Sequence, residues 1–138
     1  MEMTPERWSY TRAYLQKTFG NEDAHLAGLM DEAVAAGLPN IAVSPEVGRL
    51  LSMLVQTTEA RCAIEVGTLA GYSAIWMARA LRDGGKLYTI EAEDKHAAFA
   101  EQQIARAGVG ERVEVIRGAG LDVLARLAGQ LAPSSVDF

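Results

Sequence analysis

Residues 63–73 read A-I-E-V-G-T-L-A-G-Y-S, and no other stretch limits the possible fold as tightly. A short apolar run carrying one acid, Glu65, breaks into a turn with Gly67 and Gly71. A helix opens directly behind it. Glycines where a strand turns into a helix let a ligand lie against bare backbone. A second acid, Glu91, follows 24 residues after Gly67, at the end of another apolar run. An acid so placed suits a ribose diol, and the pairing points to an adenosine-containing ligand.

The surrounding pattern supplies the frame. After residue 61 the chain alternates strand and helix: strands at 62–66, 86–90 and 113–116, helices at 73–81, 94–107 and 121–127. That order predicts an α/β fold, a Rossmann-like doubly wound parallel sheet with right-handed crossovers. Three such strands are half of the usual sheet, and Val136-Asp137-Phe138 reads as the opening of a fourth. A truncated chain, a fragment or half of a split protein is the expectation.

Residues 1–58 read as helices and 61–138 as the cofactor-binding half of one unit. Thr4-Pro5-Glu6 has the chemistry of a helix start, and Trp8, Leu15 and Phe19 then share a face. Leu26, Leu29, Met30 and Ala33 repeat the pattern after Gly20-Asn21. Ser44-Pro45-Glu46 opens a further helix with Val47, Leu50, Leu51, Leu54 and Val55 on one apolar stripe.

Composition narrows the function classes. The 138 residues are 49% apolar and 22% charged, with net charge -5 and no Lys/Arg cluster longer than a pair. Electrostatic binding to nucleic acid or to an anionic membrane is not expected of such a chain. The N-terminus lacks a secretory leader, and no apolar segment approaches the roughly 20 residues that span a bilayer. Cys62 is the only cysteine and reads as a small core residue. A reducing cytoplasm is the expected location.

The glycine spacing selects among adenosine cofactors. A dinucleotide fingerprint needs a glycine at its centre, where the diphosphate presses on backbone. Here Leu69 stands at that position. Ser73 brings a hydroxyl to the helix start, where free N–H groups suit a small carboxylate. Glu65 is placed to meet an ammonium. An amino-acid moiety at one end and a ribose on Glu91 together describe S-adenosylmethionine. Plainer readings stand beside these: a tight turn for Gly67 and Gly71, a solvated acid for Glu91, a helix cap for Ser73. His25 and His96, without partners at ligand spacing, read as surface or capping residues. Asp94 reads as an N-cap and Glu93 as a first-turn acid. Trp76, Met77 and Leu81 read as core.

Four blocks in order, V-S-P-E-V-G-R-L-L, A-I-E-V-G-T-L-A-G-Y-S, G-G-K-L-Y-T-I-E-A-E and V-E-V-I-R-G-A-G, resemble the caffeoyl-CoA/catechol O-methyltransferase-like family. These are class I, S-adenosylmethionine-dependent and cation-dependent enzymes. The resemblance covers about 43–138. It implies that Val43 lines the cofactor and that Glu65 and Gly67 sit beside its methionine part; Gly71, in the same turn, is counted with the cofactor-binding residues. It also implies that Ser73 takes the carboxylate, Glu91 holds the ribose, and Ala119 offers its N–H to the adenine edge. Asp122 is a weaker candidate there, and Tyr72 is expected to pack against the cofactor or the first helix. It implies, further, a hydroxyl-bearing, catechol-like small-molecule acceptor, a homodimer built on the N-terminal helices, and a divalent cation. The cation's ligands are expected beyond residue 138, so no metal ligand and no catalytic base is named here.

Two rivals remain at this level. One is a non-catalytic S-adenosylmethionine-binding module, or a half-domain completed by a partner chain. The other is a fragment of an NAD-dependent dehydrogenase, against which Leu69 weighs.

Overall fold

Strand β1 (Cys62–Val66) pairs in parallel with β2 (Lys86–Glu91), and β2 with β3 (Val113–Arg117), giving the order β1-β2-β3. The computed structural model describes residues 2–138. Met1, the first residue of the stretch read as lacking a leader, lies outside them. Alternate residues of each strand face opposite sides, as a pleated sheet requires. Ala63 and Leu87 join one apolar cluster, whereas Ile90, with Ile64, Tyr88 and Ile116, joins a second. Strands covered on both faces are what a parallel sheet needs.

Helices supply those covers. Helix α4 (Tyr72–Ala80) follows β1, α5 (Asp94–Arg106) follows β2, and α6 (Gly120–Gln130) follows β3; a short 3-10 turn (Gly110–Arg112) leads from α5 into β3. The core of α4 and α5 lies on one face, and Val123 and Leu127 of α6 seal the other. Three N-terminal helices, α1 (Pro5–Phe19), α2 (Ala24–Ala35) and α3 (Pro45–Thr57), precede the sheet. Leu26, Leu29, Ala33 and Val55 from α2 and α3 share one buried cluster with Ala63 and Ile75. The N-terminal helices and the sheet therefore enclose a common interior.

Trp76, Met77 and Leu81 are buried in that cluster, as their spacing predicts. The apolar stripe of α3 runs against expectation. Val47, Leu50, Met53 and Leu54 are exposed, and the buried positions are Gly48, Ser52 and Val55. The cause is close packing of α3 on α4: a Cβ at Gly48 would overlap the Trp76 indole. Small residues face the core because the indole occupies the space. Helix α1 buries no residue fully, and Trp8 and Phe19 are exposed.

Two boundaries also move. Strand β2 extends one residue further than expected and includes Glu91. Glu93 is then the N-cap of α5 and Asp94 the first-turn acid, the reverse of the sequence reading. Residues 136–138 form no regular strand, yet they pair with β1. The Phe138 N–H donates to the Cys62 carbonyl (3.3 Å), and the Ile64 N–H donates to the Phe138 carbonyl (3.0 Å). Bonds straddling Ala63 in this way follow the parallel pattern. The Asp137 carboxylate also accepts the Arg61 and Cys62 N–H groups at 2.8 and 3.0 Å. Cys62 is only partly buried at this edge.

Gly48→Ala is expected to destabilise the protein by about 1–3 kcal/mol, the usual cost of overpacking. Gly28→Ala, in α2 with open space at its Cβ, is expected to stabilise by about 0.5–1 kcal/mol. Chemical unfolding midpoints of the two variants check this pair.

Candidate functional site

The carboxyl ends of β1 and β2 carry an open cleft of about 370 Å³. Ligands of open α/β sheets bind at this edge. Its floor is the turn between β1 and α4, Gly67 through Ala70, and its sides come from Val43, Tyr72, Ser73, Glu91 and His96.

The turn is built for backbone exposure. Gly67 has φ +97, and nothing lies within 4 Å of where its Cβ would be. Gly71 is the N-cap of α4, with φ +84. Leu69 also adopts a left-handed conformation, φ +50, which costs a non-glycine residue about 1–2 kcal/mol. Its N–H donates to Glu91 Oε2 at 2.8 Å. The Glu93 N–H donates to Glu91 Oε1 at 3.0 Å, so one carboxylate ties the β1 turn to the start of α5. His96 Nδ1 stands 3.7 Å from Glu91 Oε1.

A second acid sits beside the first. Glu65 is the register partner of Thr89 on the neighbouring strand. The Thr89 hydroxyl donates to Glu65 Oε2 at 2.6 Å, and the Ser73 hydroxyl donates to Glu65 Oε1. The Thr68 and Thr89 hydroxyls lie 2.6 Å apart. Burial pushes the Glu65 carboxyl above its ordinary range, and the nearby Glu91 adds to the rise. The two hydroxyl bonds act in the opposite direction.

Of the residues expected from sequence, Val43, Gly67, Ser73 and Glu91 line the cleft together. Glu65 meets it through Ser73. Gly71 lies beneath, where a Cβ would touch Ile104 of α5 at 3.2 Å. Ala119 caps α6 one strand away; the N–H of the preceding residue, Gly118, bonds the Glu91 carbonyl at 2.9 Å. Tyr72 lines the cleft and donates its hydroxyl to Glu22 at 2.6 Å. Burial, reinforced by Glu22, pushes that hydroxyl well above its ordinary range. His25 is elsewhere, against the Gln103 carbonyl.

Sequence reasoning missed three participants. His96 is in the cleft; its position in the first turn of α5, one helix start after Glu91, was the available signal. Thr68 and Thr89 carried no signal until the register placed Thr89 opposite Glu65. Among the described residues no group of three or more His, Cys, Asp and Glu side chains fits a metal ion.

The fold and cleft define a Rossmann-like protein with its ligand edge at the glycine turn. Comparison with known proteins gives the class. A family model described as O-methyltransferase matches residues 16–138, and the chain belongs to that family. It is 44% identical over 114 residues to a catechol O-methyltransferase of Niastella koreensis, covering 83% of this chain and 52% of that one. It is 44% identical over 117 residues to a catechol O-methyltransferase of Mycobacterium tuberculosis, with 85% and 53% covered. The structure of a Bacillus cereus O-methyltransferase in complex with SAH superimposes with a TM-score of 0.86 at 40% identity, over 92% of this chain and 58% of that one. Streptomyces achromogenes TomG in complex with SAM gives a TM-score of 0.83 at 38% identity, over 96% and 58%. The chain spans about half the length of the curated relatives it matches.

Glu65 generates a pH prediction. A carboxyl whose pKa is raised by folding leaves the native state holding more protons than the unfolded chain. Its ionisation therefore costs stability as pH climbs above about 4.3, the unfolded value. Glu65→Gln removes that cost. The stability of the variant relative to the original is expected to rise from acid towards neutral pH and then level off. Urea unfolding across pH measures it; a flat difference would contradict the environment described for Glu65.

Proposed function

We propose that the complete protein transfers the methyl group of S-adenosylmethionine to a hydroxyl of a small, catechol-like acceptor, and that this chain forms the cofactor half of the site. The observation that carries the reading is the cleft itself: bare backbone at Gly67, the open start of α4, and Glu91 on the adjoining strand. Family membership and the catechol O-methyltransferase names of two relatives support the reaction and the acceptor class.

Each residue then has a task. Each Glu91 oxygen gives one lone pair to a backbone N–H and keeps another for a ribose hydroxyl. Glu65 faces the ammonium. The unpaired N–H groups in the first turn of α4 receive the carboxylate. Ser73 shapes that end of the cleft, but its hydroxyl proton is already committed to Glu65. Val43 gives an apolar wall, and Ala119 is assigned the adenine edge. When bound, the sulfonium supplies the methyl group, and this chain's part is to orient it and hold it from water. The divalent cation implied by resemblance finds no ligand set among the described residues, and no step here uses one. The proposed assembly is a homodimer through the exposed apolar faces of α1 and α3, around Trp8, Phe19, Leu50 and Met53. The proposed location is the cytoplasm; among the described residues no helix is long and apolar enough to cross a membrane.

Calorimetric titration of the complete protein tests the cofactor. S-adenosylhomocysteine is expected to give heat and NAD none; heat from NAD alone would replace this reading with the dehydrogenase one. Glu91→Ala is expected to weaken S-adenosylhomocysteine binding by about 1.5–3 kcal/mol, the worth of a charge-assisted contact. An unchanged dissociation constant would remove Glu91 from the site.

A further inference from the structure

We infer that Thr89, backed by Thr68, is a positioning residue that holds the Glu65 carboxylate charged and fixed, and thereby makes the site select ligands bearing an α-ammonium group. The inference rests on the proposed cofactor and adds the device that reads its amino group.

The argument starts from proton counting. A hydroxyl has one proton to give. Thr89 gives its proton to Glu65 Oε2, so in the 2.6 Å contact between the two threonines Thr68 is the donor. The chain therefore runs one way: Thr68 to Thr89 to Glu65, with Ser73 donating to the other oxygen. Both Glu65 oxygens have their own donor, and the carboxylate is fixed in one orientation.

The fold has no other use for these two hydroxyls. Thr89 is 0% exposed and Thr68 2% exposed, and valine would fill either volume. Burying a hydroxyl is unfavourable unless it is bonded, and here both bonds lead to Glu65. What they oppose is plain from the surroundings. Glu65 is partly buried beside the negative Glu91, and both conditions favour its neutral form. A neutral carboxyl offers an ammonium nothing. Hydroxyl donors shift the balance back towards the ion, and Ser73 carries the result to the cleft lining.

The charged groups in the neighbourhood are Glu91 on β2 and, beyond it, His96 of α5, 3.7 Å from the Glu91 carboxylate. Glu91 and His96 are retained in every variant, so the difference between variant and original isolates the change at Glu65.

The test uses the complete protein, Thr89→Val and Thr89→Ser, and two ligands. S-adenosylhomocysteine carries the amino acid; 5′-methylthioadenosine keeps adenine and ribose but lacks it. Thr89→Val is expected to weaken S-adenosylhomocysteine about tenfold near neutral pH, with the loss shrinking as pH rises. Binding of 5′-methylthioadenosine is expected to stay within about twofold, and Thr89→Ser to restore the affinity for S-adenosylhomocysteine. Equal weakening of both ligands, no weakening of either, or a loss independent of pH would overturn the inference. Should Thr89→Val not fold, Thr68→Val decides it: a smaller loss with the same ligand selectivity supports the chain of donors, and its absence overturns it. If the original protein binds neither ligand, the cofactor reading falls and takes this inference with it. If only the variants fail to discriminate, the cofactor reading stands alone.

Discussion

The Glu91 carboxylate reaches across from β2 and takes the N–H of Leu69 with one oxygen and that of Glu93 with the other. Leu69 holds a left-handed conformation that leucine avoids, and this bond helps hold it there. The bridge joins the two crossover turns on either side of the cleft. Without it, the Leu69 N–H of the β1 turn and the Glu93 N–H at the start of α5 both lose their acceptor. The position of the cleft thus depends on an acid whose remaining lone pairs are what a ribose would use. A structural role and a proposed binding role meet in one side chain.

Much of this was legible from the sequence. The alternation of apolar runs and glycine turns after residue 61 determined the parallel sheet, because a strand followed at once by a helix has few ways to pack. The glycine turn and Glu91 stood out because positive φ and an isolated acid at a strand end leave marks in composition. Gly67, Ser73 and Glu91 were marked by their places in the turn, helix start and strand end, and Val43 by the family resemblance alone; all four line the cleft.

What was not legible depends on neighbours distant in sequence. The outward stripe of α3 reads as a core face until Trp76 is seen against Gly48, which forces the small residues inward. Glu93 and Asp94 are both acids, and only the extra residue of β2 decides which caps α5. Thr89 is one more β-branched residue in a strand until the register sets it opposite Glu65. Periodicity records what a helix or strand could bury; it does not record what arrives from the other side.

Tyr72 is a wall of the cleft on one side and bonded to Glu22 on the other. Glu22 belongs to the hinge between α1 and α2, fifty positions upstream. The α1–α2 connection is accordingly tied to the wall of the cleft by this phenol, beside the Asp23–Arg79 ion pair and the core that α2 and α3 share with the sheet. Relatives that exchange or reshape this arm would inherit an altered chamber along with it, even with every glycine of the turn retained.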